Sequence, residues 1–259
     1  MKFASSRVYC VLSSIRSLAR KIKSHKWINL CLDASEDNES SLALDIIHCI
    51  KDGEINMSSI FVIDIGSHNG LSGSNSYYFA KQGFKTILVE PNKIGLNSSK
   101  QLYRNKTNVR YYNCASGPTD GELKMYTRSK NALDAKATAL GPIEGLHEDM
   151  HEREFIDVNM VSISTIIEDQ KEKYFLGEDD IFGVLSIDTE GYDLEVLKGL
   201  NNKMPIVVIT EFSKSVPELE IRKRKWLSEN GYYLYQTTFS NCIFIQNNEF
   251  IKFCKSESQ

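Results

Sequence analysis

Apolar residues in this chain gather into short runs, and several of the runs end on an acid. Residues 60–65 read Ile-Phe-Val-Ile-Asp-Ile, 86–90 read Thr-Ile-Leu-Val-Glu, and 183–188 end in Asp188. The run at 205–210 is followed at once by Glu211. Short continuous apolar runs of this kind predict strands buried on both faces. Further runs lie at 109–113, 232–236 and 242–246. Helical spacing fills 75–82, 93–104, 192–199 and 215–229 between them. Strands alternating with helices imply right-handed crossovers and a mostly parallel sheet covered on both faces. The last two runs are separated only by 237–241, so they predict an antiparallel hairpin at one edge. The expected fold is α/β: a Rossmann-like, seven-stranded, mostly parallel sheet with an antiparallel edge hairpin.

Residues 114–182 interrupt that rhythm. The segments 123–126 and 157–163 read as short strands, while 127–155 is polar and carries His147 and His151. A loop so long inside a compact domain is expected to serve a function, here as a substrate loop. The sheet-forming region is expected to span 58–250, with residues 1–57 as a helical N-terminal extension. Val8, Leu12, Ile15 and Ile22 recur at helical spacing in that extension. Residues 1–32 hold seven Lys or Arg and no acid, whereas 33–54 hold seven acids against Lys51. The basic amphipathic stretch suits a peripheral membrane contact, a partner or a homodimer surface. The plainer alternative is a helix packed on its own domain. Arg16, Arg20 and Lys21 break any apolar core, so a signal peptide is not indicated.

A net charge of −3 argues against a general nucleic-acid binder. Six cysteines, at 10, 31, 49, 114, 242 and 254, show no Cys-x-x-Cys pair and no His at ligand spacing. That pattern favours reduced thiols in a cytoplasm over a disulfide framework or a zinc site.

The chemistry-bearing residues stand at the strand ends. Asp64 is followed by Gly66, Gly70 and Gly73, a loop in which backbone can approach a ligand closely. Glu90, one strand later, is placed to accept bonds from ribose hydroxyls. A dinucleotide loop needs glycine where His68 stands, so the pattern suits S-adenosylmethionine better than NAD. Asp188 and Glu190 share the loop after their strand, where each raises the other's proton affinity and one can serve as a base. Either could instead cap the helix that begins near Tyr192. Two oxygen ligands with no evident third leave no metal site assigned. Glu211 adds another acid at the same edge, unless it caps a helix or pairs with Lys214.

Four segments together carry a family resemblance: 61–70 (Phe-Val-Ile-Asp-Ile-Gly-Ser-His-Asn-Gly), 88–92 (Leu-Val-Glu-Pro-Asn), 113–117 (Asn-Cys-Ala-Ser-Gly) and 186–200, which opens Ser-Ile-Asp-Thr-Glu-Gly-Tyr-Asp. Over roughly residues 58–247 the chain resembles the FkbM family of S-adenosylmethionine-dependent methyltransferases. Ser74-Asn75-Ser76 resembles a branch with Ser-Asn-Thr at that place. The resemblance implies a class I methyltransferase, most often one that O-methylates sugars or polyketides. By the same resemblance Asp64, Gly66, Ser67, His68, Asn69, Gly70 and Asn75 hold the methionine end of the cofactor. Glu90 and Pro91 lie at its ribose, Asn113, Cys114 and Ala115 at its adenine, and Asp188 and Glu190 at its methyl group. Glu190 or Asp188 is the expected base, with His147 and His151 behind them. Ser186 departs from the family, which often has Lys there, and the basic N-terminus lies outside the resemblance.

The expected activity is therefore O-methylation of a sugar, nucleotide-linked or within a surface or capsular polysaccharide. Its competitors are a nicotinamide-dependent oxidoreductase and a non-catalytic membrane- or partner-binding protein that works through residues 1–32.

Overall fold

The computed structural model describes residues 33–50, 56–127, 139, 154–214 and 216–249. The expectations for residues 1–32, and for His147 and His151, fall outside the described residues.

Seven strands form the main sheet: β1 (Ile60–Ile65), β2 (Lys85–Val89), β3 (Val109–Tyr112), β7 (Ile181–Ile187), β8 (Val207–Glu211), β9 (Tyr232–Thr237) and β10 (Asn241–Gln246). Their order is β3-β2-β1-β7-β8-β10-β9, with β10 antiparallel to both of its neighbours. The expected mostly parallel sheet and its closing hairpin are both present. β10 enters beside β8, and β9 forms the edge.

Alternation along the strands sorts their side chains into two cores. Phe61, Ile63 and Ile65 face one way, with Leu185, Ile187 and Val208. They pack on helices α4 (Ile163–Glu172), α5 (Asp193–Lys198) and α6 (Pro217–Glu229), through Ile166, Ile167, Val196 and Leu227. Ile60 and Val62 face the other way, with Val184, Ile209 and Ile243, onto α1 (Glu39–Ile50) and α2 (Tyr77–Gln82). A further helix, α3 (Lys93–Leu102), begins at Asn92, whose side chain accepts from the Ile94 and Gly95 amides.

Two helices differ from the sequence reading. α1 lies in the stretch assigned to an extension, yet Ala43, Ile46 and Ile47 are fully buried against the sheet. A division at residue 57 therefore does not follow the packing. α4 follows the segment read as a short strand, in a region given no helix, and its signals are present: Ser162 accepts from the Thr165 amide, and Ile163, Ile166, Ile167 and Gln170 recur on one buried face. The preceding strand, β6 (Glu154–Val161), pairs antiparallel with β5 (Gly121–Thr127) and parallel with the two-residue β4 (Ala115–Ser116). This small sheet brackets the expected substrate loop.

Candidate active site

The carboxyl ends of β1, β2, β7 and β8 converge on a cavity of about 480 Å³, the place where open parallel sheets bind ligands. Asp64 shares its strand face with Ile60 and Val62, so it meets the residues that precede α2. Ser76 donates to Asp64 Oδ2 at 2.6 Å, and Ser74 does so at 3.3 Å. Ser76 does not cap α2 with its side chain, and Ser74 Oγ accepts from the Ser76 and Tyr77 amides instead. Burial raises the Asp64 carboxyl above its ordinary range despite these hydrogen bonds.

Gly66 has φ +80°, and a Cβ there would overlap the backbone carbonyl of Asp188. The close crossing is held by the Asp188 amide on Ile65 O at 2.9 Å and the Gly66 amide on Val89 O at 2.9 Å. Only glycine lets these three strand ends meet.

Glu90 is pinned from both sides. The His68 amide donates to one carboxyl oxygen and the Asn92 amide to the other, each at 2.7 Å. Burial nevertheless lifts it to about 7, helped by the nearby Asp64. Asn113 donates to the carbonyls of Glu90 and Pro91, both at 2.9 Å.

A third group surrounds the loops after β7 and β8. Asp188 is open to the cavity but otherwise enclosed by protein. That enclosure, followed by the charges of Glu211, Asp193 and Glu190, pushes its carboxyl well above the ordinary range. Glu211 rises to about 7 from burial first, then from Asp193 and Glu190. Glu190 sits at φ +51°, a left-handed conformation that costs a side-chain-bearing residue about 1–2 kcal/mol. Neither Asp188 nor Glu190 caps α5, which has no side-chain cap. Asp193 instead accepts from Thr189 Oγ1 at 2.6 Å and so fixes the loop that carries both acids. Nor does Glu211 pair with Lys214, whose ammonium donates to the Phe239 carbonyl.

The family model for the "Methyltransferase FkbM domain" matches residues 64–234, about two thirds of the chain. The chain belongs to the FkbM methyltransferase family. Among solved structures, the chain is similar to the FkbM methyltransferase of Methylobacillus flagellatus at 16% identity and a TM-score of 0.43. The match covers 89% of this chain and 60% of that one. It is also similar to a tRNA (uracil-54, C5)-methyltransferase of Pyrococcus abyssi in complex with S-adenosylhomocysteine, at 14% identity and a TM-score of 0.37, over 78% of this chain and 37% of that one. The chain thus spans about 60% of the length of its Methylobacillus relative. A comparison with the curated proteins finds no match.

Membership makes S-adenosylmethionine the cofactor of this FkbM methyltransferase, and the cavity suits it. Among the described residues, four that line the cavity hold a buried polar atom without a hydrogen-bond partner: Ser67 Oγ, Asn75 Oδ1, Ser116 Oγ and Glu211 Oε2. A buried polar atom without a partner is costly, so such atoms mark places where a ligand completes the bonding. The first two lie along the Asp64 loop and Ser116 beside Cys114 and Ala115.

Of the residues assigned from sequence, Asp64, Gly66, Ser67, His68, Asn75, Glu90, Pro91, Cys114, Ala115, Asp188 and Glu190 all line the cavity. Asn69, Gly70 and Asn113 do not. Asn69 accepts from the Leu71 and Ser72 amides and closes its own turn. Gly70 gives its carbonyl to Tyr103 Oη, and Asn113 braces the Glu90–Pro91 turn. Residues not assigned from sequence also line the cavity, among them Glu36, Tyr192, Lys214 and Phe239. Only the run of acids at 33–39 and the short hairpin connection hinted at two of these. Among the described residues no three His, Cys, Asp or Glu side chains cluster as a metal site, and no helix is long and apolar enough to cross a membrane.

Proposed function

We propose that this protein transfers a methyl group from S-adenosylmethionine to a hydroxyl oxygen of a sugar, either nucleotide-linked or within a polysaccharide. The observation that carries the reading is the cluster of Asp188, Glu190 and Glu211 on the cavity wall, with Glu211 held near neutrality and Asp188 well above its ordinary range. A hydroxyl is a poor nucleophile at neutral pH and must lose its proton as it attacks. A carboxylate whose proton affinity is raised towards neutrality is a competent acceptor.

The bound cofactor supplies an electrophilic methyl group on a sulfonium. Asp64 and the orphaned polar atoms of Ser67 and Asn75 are the groups to hold its methionine end, and Glu90 its ribose hydroxyls. Asp188 or Glu190 takes the acceptor proton, with Glu211 alongside to spread the negative charge. Ser72, Ser213, Ser240 and Asn241 offer hydroxyl and amide partners on the cavity wall, which suits a hydroxyl-rich acceptor. The family resemblance and the polar stretch 127–155 support the same class.

Calorimetry with S-adenosylhomocysteine and with NADH, followed by transfer of labelled methyl to a panel of sugars and sugar nucleotides, tests this reading. We expect binding of the first ligand and an O-methyl product identified by NMR. Tight binding of NADH alone, or a product methylated on nitrogen or carbon, would overturn it.

A further inference from the structure

Among the described residues, six carboxyl groups line the cavity, on Glu36, Asp64, Glu90, Asp188, Glu190 and Glu211, and they face one Lys or Arg, Lys214. The setting of that lysine is unusual. Phe239 occupies the turn between β9 and β10 and is 77% exposed, although it borders the cavity. The Lys214 ammonium stands 3.5 Å from the centre of the Phe239 ring and 5.5 Å from that of Phe212. It also donates to the Phe239 carbonyl. An ammonium has three donors, so it retains capacity for a ligand.

This rim is held in place from behind. The Phe239 amide donates to Asp37 Oδ2 at 2.7 Å, and the Phe212 amide to the Ser240 carbonyl at 2.7 Å. Thr238 Oγ1 and Asn241 Nδ2 both donate to Glu39 Oε1 at 2.9 Å, and Glu39 is fully buried. Two acids near the start of α1 thus fasten the turn that presents an apolar ring to solvent. Fixing it in advance removes the ordering cost of binding at this edge. Phe239, Asp37 and Glu39 all lie outside residues 64–234, so the family match does not extend to them.

We propose that Phe239, Phe212 and Lys214 form an acceptor subsite for an anionic glycoside, one that carries a phosphate ester or a carboxylate. The sugar's C–H face lies on the face of the Phe239 ring opposite the ammonium, and its anion reaches past the ring edge to pair with it. Elsewhere on the cavity wall an anion would confront the carboxyl groups, so Lys214 fixes which end of the acceptor stays at the rim. This rests on the methyl-transfer reading above and narrows its substrate class.

The test uses the full-length protein saturated with S-adenosylhomocysteine and three probes: methyl β-D-glucopyranoside, methyl β-D-glucuronide and glucose 1-phosphate. Ligand-observed NMR gives their relative affinities. We expect at least one anionic probe to bind ~10-fold tighter than the neutral glycoside. That advantage should vanish in Lys214→Gln and persist in Lys214→Arg, with the affinity for S-adenosylhomocysteine unchanged. Phe239→Ala should weaken all bound probes alike. Whether the carboxylate or the phosphate probe binds tells the two anion sources apart. Equal affinity of neutral and anionic probes, no binding of either anionic probe, or an advantage that survives in Lys214→Gln would overturn the proposal. A failure of S-adenosylhomocysteine itself to bind would instead overturn the reading of the cofactor site.

Discussion

Two groups of acids meet at the loops after β7 and β8, one buried behind them and one lining the cavity, and they are treated in opposite ways. Behind the cavity, Lys223 is 2% exposed and reaches Asp193 Oδ2 and Glu220 Oε2, each at 3.2 Å, while also donating to the Glu211 carbonyl. Burial pushes the Glu220 carboxyl up, but Lys223 and Arg224 outweigh it and leave Glu220 below its ordinary range. On the cavity side, Asp188 and Glu211 are enclosed among further acids, and both are raised. Paired acids hold the loops, and the acids that those loops present are left short of cations. The same residue type therefore serves architecture or chemistry according to whether a cation was folded in beside it.

The sharpest way to break this contrast is to remove the shared cation. Lys223→Met leaves Asp193 in the interior without a cation and Glu220 with Arg224 alone, and should cost about 3–5 kcal/mol of unfolding free energy by denaturant titration. A loss under 1 kcal/mol would mean that the pairing contributes little. On the other side, Asp188→Asn and Glu190→Gln should each lower turnover at least ~100-fold, with cofactor affinity changed by less than ~10-fold. Wild-type rates in both variants would remove these acids from the chemistry. Turnover should also rise with pH through an inflection above the usual carboxylate range, since a base must be ionised to accept a proton.

Glu90 offers a cleaner comparison, because it is 7% exposed and lies apart from Lys223. Its folded value of about 7 exceeds the ordinary 4.5. Between those values the folded protein keeps a proton that the unfolded chain has released, so stability falls as pH rises from about 4.5 to 7. The full drop is roughly 3–4 kcal/mol. In Glu90→Gln that part of the slope should disappear from thermal melts of the cofactor-free protein, while cofactor binding weakens. The smallest effect is expected from Thr189→Val, which removes the 2.6 Å bond to Asp193. It should cost about 1.5 kcal/mol, with turnover reduced by loosening of the Asp188–Glu190 loop.

Much of the cavity was legible because it is built from strand ends. A run such as Phe-Val-Ile-Asp-Ile announces its own burial, and the acid that closes it must emerge at the carboxyl edge. Asp64, Glu90 and Asp188 were found in this way, and Glu211 was noticed though not assigned. The departures have equally local causes. Asn69 and Asn113 carry the right chemistry at nearly the right place, but their side chains are taken by backbone groups of adjoining turns. α4 follows a segment that reads as a short strand, and its serine cap and isoleucine stripe are signals as local as those of the strands. α1 falls within the expected extension, yet Glu39 is wholly buried and the helix packs on the sheet.

The sequence alone determined the main-sheet strands and their antiparallel end, the family and the cofactor, because each rests on periodicity or on motifs that are local in the chain. The tertiary structure alone decided which acids meet a cation and which do not. Lys223 lies 30 residues from Asp193, and Asp37 and Glu39 lie about 200 from the turn they fasten. No local pattern records such pairings. They arise only when the sheet brings distant segments to one edge, where burial makes each charge depend on its neighbours.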